Sequence, residues 1–250
     1  MIAAPTYTPA VGEWLTPHGQ RAVLHYRAET NDWNVISSIM APHDEYSLPR
    51  GLTGWAADIG AHIGAVAIAL ALDNPDLSVI AVEPVPQNVD LFQANVEANG
   101  LLGQVAVIAG AAGLRDPVTV WYGRHGEPSA EHHAFIGNNS TAYDHGGELP
   151  HETVEYPHPI TLAWLVAMAG GRIAWCKIDA EGAEWDVLQD PAIRDIEYLI
   201  GEFHPVRGKR RGDLAPLLDP THVLTYPDPP KGVDPEFGPG PFVAVRREAD

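Results

Sequence analysis

The stretch Trp55-Ala56-Ala57-Asp58-Ile59-Gly60-Ala61-His62-Ile63-Gly64 decides the fold. It reads as a strand running into a glycine turn, and Ala65 to Leu72, apolar on every side, follow at once as a buried helix. Gly60 and Gly64 can take backbone angles closed to other residues and admit a ligand against the main chain, while the helix start offers unpaired N–H groups. A strand, a tight turn and a helix make a nucleotide pocket. The turn lacks the middle glycine of the dinucleotide fingerprint, because His62 stands there, so a pyrophosphate is not the expected ligand. Asp58 would repel phosphate and attract an ammonium group. Glu83 closes the next apolar run, Leu77 to Val82, about as far on as the acid that takes ribose hydroxyls in nucleotide-binding folds. A cationic, ribose-bearing ligand suits both acids.

Downstream, Pro86 opens a helix with Val89, Phe92 and Val96 on its inner stripe, and Gly100 ends it. Val105 to Ala109 is a third strand, with the small Ala111 and Ala112 at its end. Val118 to Tyr122 and Thr153 to Tyr156 read as short extra strands. Between them Gly123 to Pro150 is long and polar, a substrate-facing or gating loop, and its His125, His132, His133 and His145, with His151 beyond, match no zinc spacing. Ile173 to Asp179 is the fourth strand, Glu184 starts the helix after it, and Tyr198 to Phe203 is the fifth. Alternation sets Lys177 and Asp179 on one face, and Glu202 and His204 on one face of the next strand, so that Lys177 and Glu202 could form a buried ion pair. Asp179 and His204 then sit at carboxyl ends of strands, where open α/β sheets bind ligands. A helix near Asp213 to Leu218 and strands at His222 to Tyr226 and Phe242 to Arg246 complete the chain.

Upstream, a helix capped near Thr30 or Asn31 carries Trp33, Ile36, Ile39 and Met40 on one face. Residues 1–29 read as an arm, lying over the domain or partly disordered, and residues 30–250 as one domain.

The runs AADIGAHIG, VIAVEPVPQNVDLFQANVEANG, CKIDAEGAEWDVL and IGEFH, in this order, resemble the FkbM family of S-adenosylmethionine-dependent methyltransferases. The resemblance covers most of the chain, from the Asn31 to Tyr46 segment to His204. It implies a single-domain class I methyltransferase fold, a Rossmann-like, mostly parallel α/β sheet with helices on both faces and its last two strands antiparallel. Asp58, Gly60, Ala61, His62 and Gly64 would surround the methionine part of S-adenosylmethionine. Glu83 and Pro84 would lie at its ribose and Ala111 at its adenine, with S-adenosylhomocysteine as product. One departure is Thr161-Leu162-Ala163-Trp164, where relatives usually carry an Asp after the Leu.

The 250 residues suit one domain, and the formal charge of −18 argues against coating nucleic acid or an anionic membrane, which leaves a small-molecule substrate. Met1 to Leu15 has no basic start or long apolar run, so the expected location is cytoplasmic. The single cysteine, Cys176, lies in an apolar run and reads as a core thiol.

Methyl transfer needs the acceptor held in line with a methyl group and a base for the acceptor's proton. His204 is the expected base, with Asp179 holding the acceptor or the cofactor's methionine end. Arg207, Arg210 and Arg211 could receive an anionic group of the substrate, or form a solvated loop; Tyr46 either covers the cofactor or packs. No metal is expected, although Asp179, Glu181, Glu202 and His204 could in principle hold magnesium. O-methylation of a small hydroxylated metabolite (a sugar, nucleoside or polyketide-type natural product) is the reading. N-methylation on the same fold, or a non-catalytic cofactor-binding module, stand as alternatives.

Overall fold

The computed structural model describes residues 8–28, 30–41, 46–123, 135–137, 151–206, 208–228 and 232–248. In chain order these form β1 (Pro9–Leu15), β2 (Arg21–Arg27), α1 (Asp32–Ile39), β3 (Gly54–Ile59), α2 (Ala65–Asp73), β4 (Leu77–Glu83), α3 (Pro86–Ala98) and β5 (Val105–Ala109). There follow β6 (Val118–Gly123), β7 (Phe135–Gly137), β8 (His151–Tyr156), α4 (Leu162–Met168), β9 (Ile173–Ile178), α5 (Glu184–Val187), β10 (Ile196–Phe203), α6 (Ala215–Leu218), β11 (His222–Thr225) and β12 (Gly240–Arg246).

Seven strands make the central sheet in the order β11-β12-β10-β9-β3-β4-β5. β3, β4, β5, β9 and β10 run parallel, and β12 is antiparallel to both β10 and β11. This is the class I methyltransferase arrangement that the motifs imply. The chain order reverses between β3 and β9, which makes their carboxyl ends the switch point where such sheets hold ligands.

Alternation along each strand feeds two cores, because successive side chains point to opposite faces. Ala56, Val79, Ala81 and Trp175 pack on the side of α1, α2 and α3, while Ala57, Ile80, Val82, Cys176 and Leu199 pack on the side of α4, α5 and α6. The all-apolar Ala65 to Ala71 is buried throughout, as its sequence requires. Burial also pushes the Cys176 thiol up, away from ionisation, in keeping with a core role. Among the described residues no helix is long and apolar enough to cross a membrane.

Residues 9–27 depart from a simple arm. β1 and β2 form an antiparallel hairpin in register from Pro9 opposite Arg27 to Leu15 opposite Arg21. Asn95 of α3 and Asn99, which caps its end, dock it by imitating a strand: each accepts from and donates to the main chain, at His25 and Val23 respectively. Trp33 is a second difference. It does not join Ile36 and Ile39 inside but stays half exposed, its ring 5.6 Å from Trp14 and 6.0 Å from Tyr26 of the hairpin. Of the polar stretch 123–150, the described part includes β7, which pairs with β6; its histidines lie outside the described residues.

Candidate active site

The turn after β3 is built by three residues with left-handed backbone, Gly60 (φ 76°), His62 (φ 52°) and Gly64 (φ 90°). The two glycines serve packing more than ligand approach. A Cβ on Gly60 would lie 1.7 Å from the carbonyl oxygen of Asp179, and one on Gly64 would lie 2.0 Å from the Phe92 ring. The turn is therefore locked to β9 on one side and α3 on the other.

A cavity of about 360 Å³ opens at this end of the sheet, a size suited to a small ligand. Of the site residues named from the sequence, Gly60, Ala61, His62, Glu83, Pro84, Asp179 and Tyr46 line it. Asp58, Gly64 and Ala111 do not line it; Ala112 does. Asp58 is fully buried, its Oδ1 3.4 Å from Lys177 Nζ; burial pushes its carboxyl up and the Lys177 ammonium opposes that. The ion pair expected between Lys177 and Glu202 is thus made by Lys177 with Asp58. The register explains it, since Ile200, not Glu202, lies opposite Lys177.

Lys177 also donates to the Gly60 carbonyl at 2.6 Å, stands 3.9 Å from Asp179 Oδ2 and lies over the Tyr46 ring. The Tyr46 hydroxyl donates to Asp179 Oδ2 at 2.9 Å. One lysine therefore ties the glycine turn to the acid at the end of β9.

Glu83, almost fully buried, also lines the cavity. Its Oε1 accepts from Val85 N and Asn88 Nδ2, and its Oε2 from His62 N. Burial pushes this carboxyl up, and His62 with the three N–H donors works against that. With about two lone-pair sites per oxygen, Oε2 keeps capacity for one hydroxyl while Oε1 is filled. Glu83 can thus take one ribose hydroxyl more readily than two.

His204 lies behind the cavity wall rather than on it. Its Nδ1 is 2.7 Å from Glu184 Oε1, and its Nε2 is 3.2 Å from Glu181 Oε2 and 3.8 Å from Glu202 Oε2. Burial disfavours its charge, but the Glu184 carboxylate, with Glu181 and Asp179, holds its pKa well above the usual imidazole value. His204, the base expected from the sequence, is not among the residues that line the cavity. Asp179, Glu181 and His204 offer ligand atoms within 4.8 Å of one another and form a group that could hold a metal ion.

Arg210 and Arg211 turn away from the cavity. Arg210 meets Glu236 and the Phe237 ring, and Arg211 meets the Pro227 carbonyl and the Tyr226 ring. Arg207 lies outside the described residues. The wall that sequence reasoning missed is α1 with the residue before it: Asn31, Asn34, Val35 and Ser38 face the cavity. The polar residues interleaved among the buried Ile36 and Ile39 carried that signal.

Residues 58–226 match the methyltransferase FkbM domain. No curated protein matches the chain. Among solved structures, the precorrin-6y C5,15-methyltransferase of Geobacter metallireducens is 10% identical, with 80% of this chain and 84% of that chain covered and a TM-score of 0.43. TrmK of M. capricolum, solved with S-adenosyl-homocysteine, is 13% identical over 80% of this chain and 65% of its own, with a TM-score of 0.44. A protein described as a predicted O-methyltransferase from Agrobacterium tumefaciens is 12% identical, covering 86% and 80%, with a TM-score of 0.43.

Proposed function

Starting from a chain that belongs to the FkbM methyltransferase family, we propose that it transfers a methyl group from S-adenosylmethionine to a hydroxyl oxygen of a small metabolite. The observation that carries this is a cavity lined by both the buried ribose-type acid Glu83 and the acid Asp179, each at the carboxyl end of a parallel strand. The residues fit the cofactor. Glu83 Oε2 has capacity for a ribose hydroxyl, and the lining residues Pro84 and Ala112 would hold the adenosine and Gly60 to His62 the methionine part.

When bound, the cofactor supplies a methyl group on a sulfonium that is itself the leaving group. The chain must place the acceptor oxygen and receive its proton. Asp179 is the proton acceptor in this reading, because it lines the cavity and His204 does not. Tyr46 and Lys177 keep the Asp179 carboxylate oriented through the 2.9 Å hydrogen bond and the 3.9 Å ion pair. The Glu184–His204–Glu181 cluster anchors the loop after β9: Glu184 also accepts from the main chain of Ala180 and Gly182, on either side of Glu181.

The test is methyl incorporation from labelled S-adenosylmethionine into panels of alcohols and amines, with the product's methylated atom read by NMR. An amine acceptor would move the assignment to N-methylation, and no incorporation by a protein that binds the cofactor would favour a binding module. Asp179→Asn should retain cofactor binding and lose on the order of 10² to 10⁴ in rate.

A further inference from the structure

The N-terminal hairpin ends in a charge that ordinary surface chemistry does not explain. Arg27, the last residue of β2, is fully buried, and so is Asp32, the first residue of α1. Arg27 Nε donates to Asp32 Oδ2 and Nη2 to Asp32 Oδ1, both at 2.7 Å, and the Arg27 main-chain N–H adds a third bond to Oδ2 at 2.8 Å. A buried pair of this kind is a weak source of stability, because desolvation offsets most of its attraction. Its reach points elsewhere.

Two routes run from this pair onto the ribose-type acid. Arg27 Nη2 donates to Asn88 Oδ1 at 2.8 Å, and Asn88 Nδ2 donates to Glu83 Oε1 at 3.0 Å. Asp32 Oδ1 lies 3.2 Å from His62 Nε2, and the His62 main-chain N–H donates to Glu83 Oε2 at 2.8 Å. The ring Arg27–Asn88–Glu83–His62–Asp32 is closed, with each oxygen of Glu83 approached from a different side. His62 is also the non-glycine residue that the turn holds at φ 52°, a conformation its own backbone disfavours. The same Asp32 starts α1, whose Asn34, Val35 and Ser38 face the cavity.

From this we infer that Arg27 and Asp32 are positioning residues of the cofactor site: the hairpin, through their ion pair, sets His62, Asn88 and hence Glu83, and so controls cofactor affinity. Both residues lie outside the 58–226 stretch that matches the family. The inference rests on the cofactor assignment made above.

The test uses the full chain with S-adenosylhomocysteine as probe. Asp32→Asn leaves a buried guanidinium without its counter-charge and can fail to fold, so the decisive variant is the double replacement Arg27→Met with Asp32→Leu, which removes both charges together. The expected result is a double variant that melts close to wild type yet binds S-adenosylhomocysteine at least tenfold more weakly in calorimetry. Its KM for S-adenosylmethionine should rise by the same factor while kcat at saturating cofactor stays within about twofold of wild type, a split that general loss of structure does not produce. A folded double variant with affinity within twofold of wild type overturns the inference. A second readout needs no variant: in the wild-type protein the probe should slow amide hydrogen exchange in β2 and α1, and unchanged exchange there also overturns it. Wild-type protein that binds no probe sinks the cofactor assignment and this inference together, whereas equal binding by both proteins sinks the inference alone.

Discussion

Gly60→Ala tests the lock between the glycine turn and β9, with Gly54→Ala as its control. Both glycines have left-handed backbone, φ 76° and φ 81°, so alanine at either costs about 1–2 kcal/mol from conformation alone. They differ in what the new methyl group meets. At Gly54 nothing lies within 4 Å, whereas at Gly60 the Cβ would stand 1.7 Å from the Asp179 carbonyl oxygen, a main-chain atom that no rotamer change can move aside. Ordinary contact starts at 3.4 Å, so the ends of β3 and β9 must part by more than about 1 Å. Overpacking of this order adds about 1–3 kcal/mol, giving about 2–5 kcal/mol for Gly60→Ala against about 1–2 for Gly54→Ala. The same displacement strains the Lys177 bond to the Gly60 carbonyl and moves Asp179, where a 1 Å error can cost about 10²-fold in rate. Urea unfolding of both variants, with m-values compared, reads the stability difference, and a steady-state assay reads the rate. Should Gly60→Ala prove no less stable than Gly54→Ala, the close approach of the turn to β9 is wrong.

Glu83→Gln should weaken S-adenosylhomocysteine binding by roughly 10- to 100-fold, since a hydrogen bond to a charged group contributes about 1.5–3 kcal/mol; calorimetry on folded protein with unchanged affinity would remove Glu83 from the ribose site. His204 has a folded pKa above its unfolded value, so its stabilising charge is fully present below about pH 6.5 and is lost as pH rises through the raised pKa. Thermal melts should accordingly show the wild-type advantage over His204→Gln shrinking as pH climbs through that window, and a difference independent of pH would contradict the charged cluster. Charge reversal at Arg210 and Arg211 should leave the acceptor KM within about twofold, because neither side chain lines the cavity; a large KM rise in a folded protein would return them to the substrate site.

Local pattern carried the sheet and the turn. The all-apolar helix after Gly64, the single-period strands at Val79 to Val82 and Ile173 to Ile178, and the Pro86 to Gly100 helix are each determined by neighbours in the chain, through backbone preference and the side on which apolar groups recur. Strand ends then locate Glu83 and Asp179, because a parallel sheet brings its carboxyl ends to one edge. What the sequence could not determine is which charged groups meet. Lys177 chooses Asp58 over Glu202 because strand register, an outcome of the whole sheet, offsets Glu202 by two residues. His204 is a titratable side chain in the sequence, and only the carboxylates brought by the loop after β9 and by α5 raise its pKa. The hairpin at residues 9–27 has visible alternation and a Pro17-His18-Gly19 turn, yet its place is set by Asn95 and Asn99, some 70 residues on. Interactions between ionised groups depend on distance and burial, and both are properties of the packed chain rather than of sequence spacing.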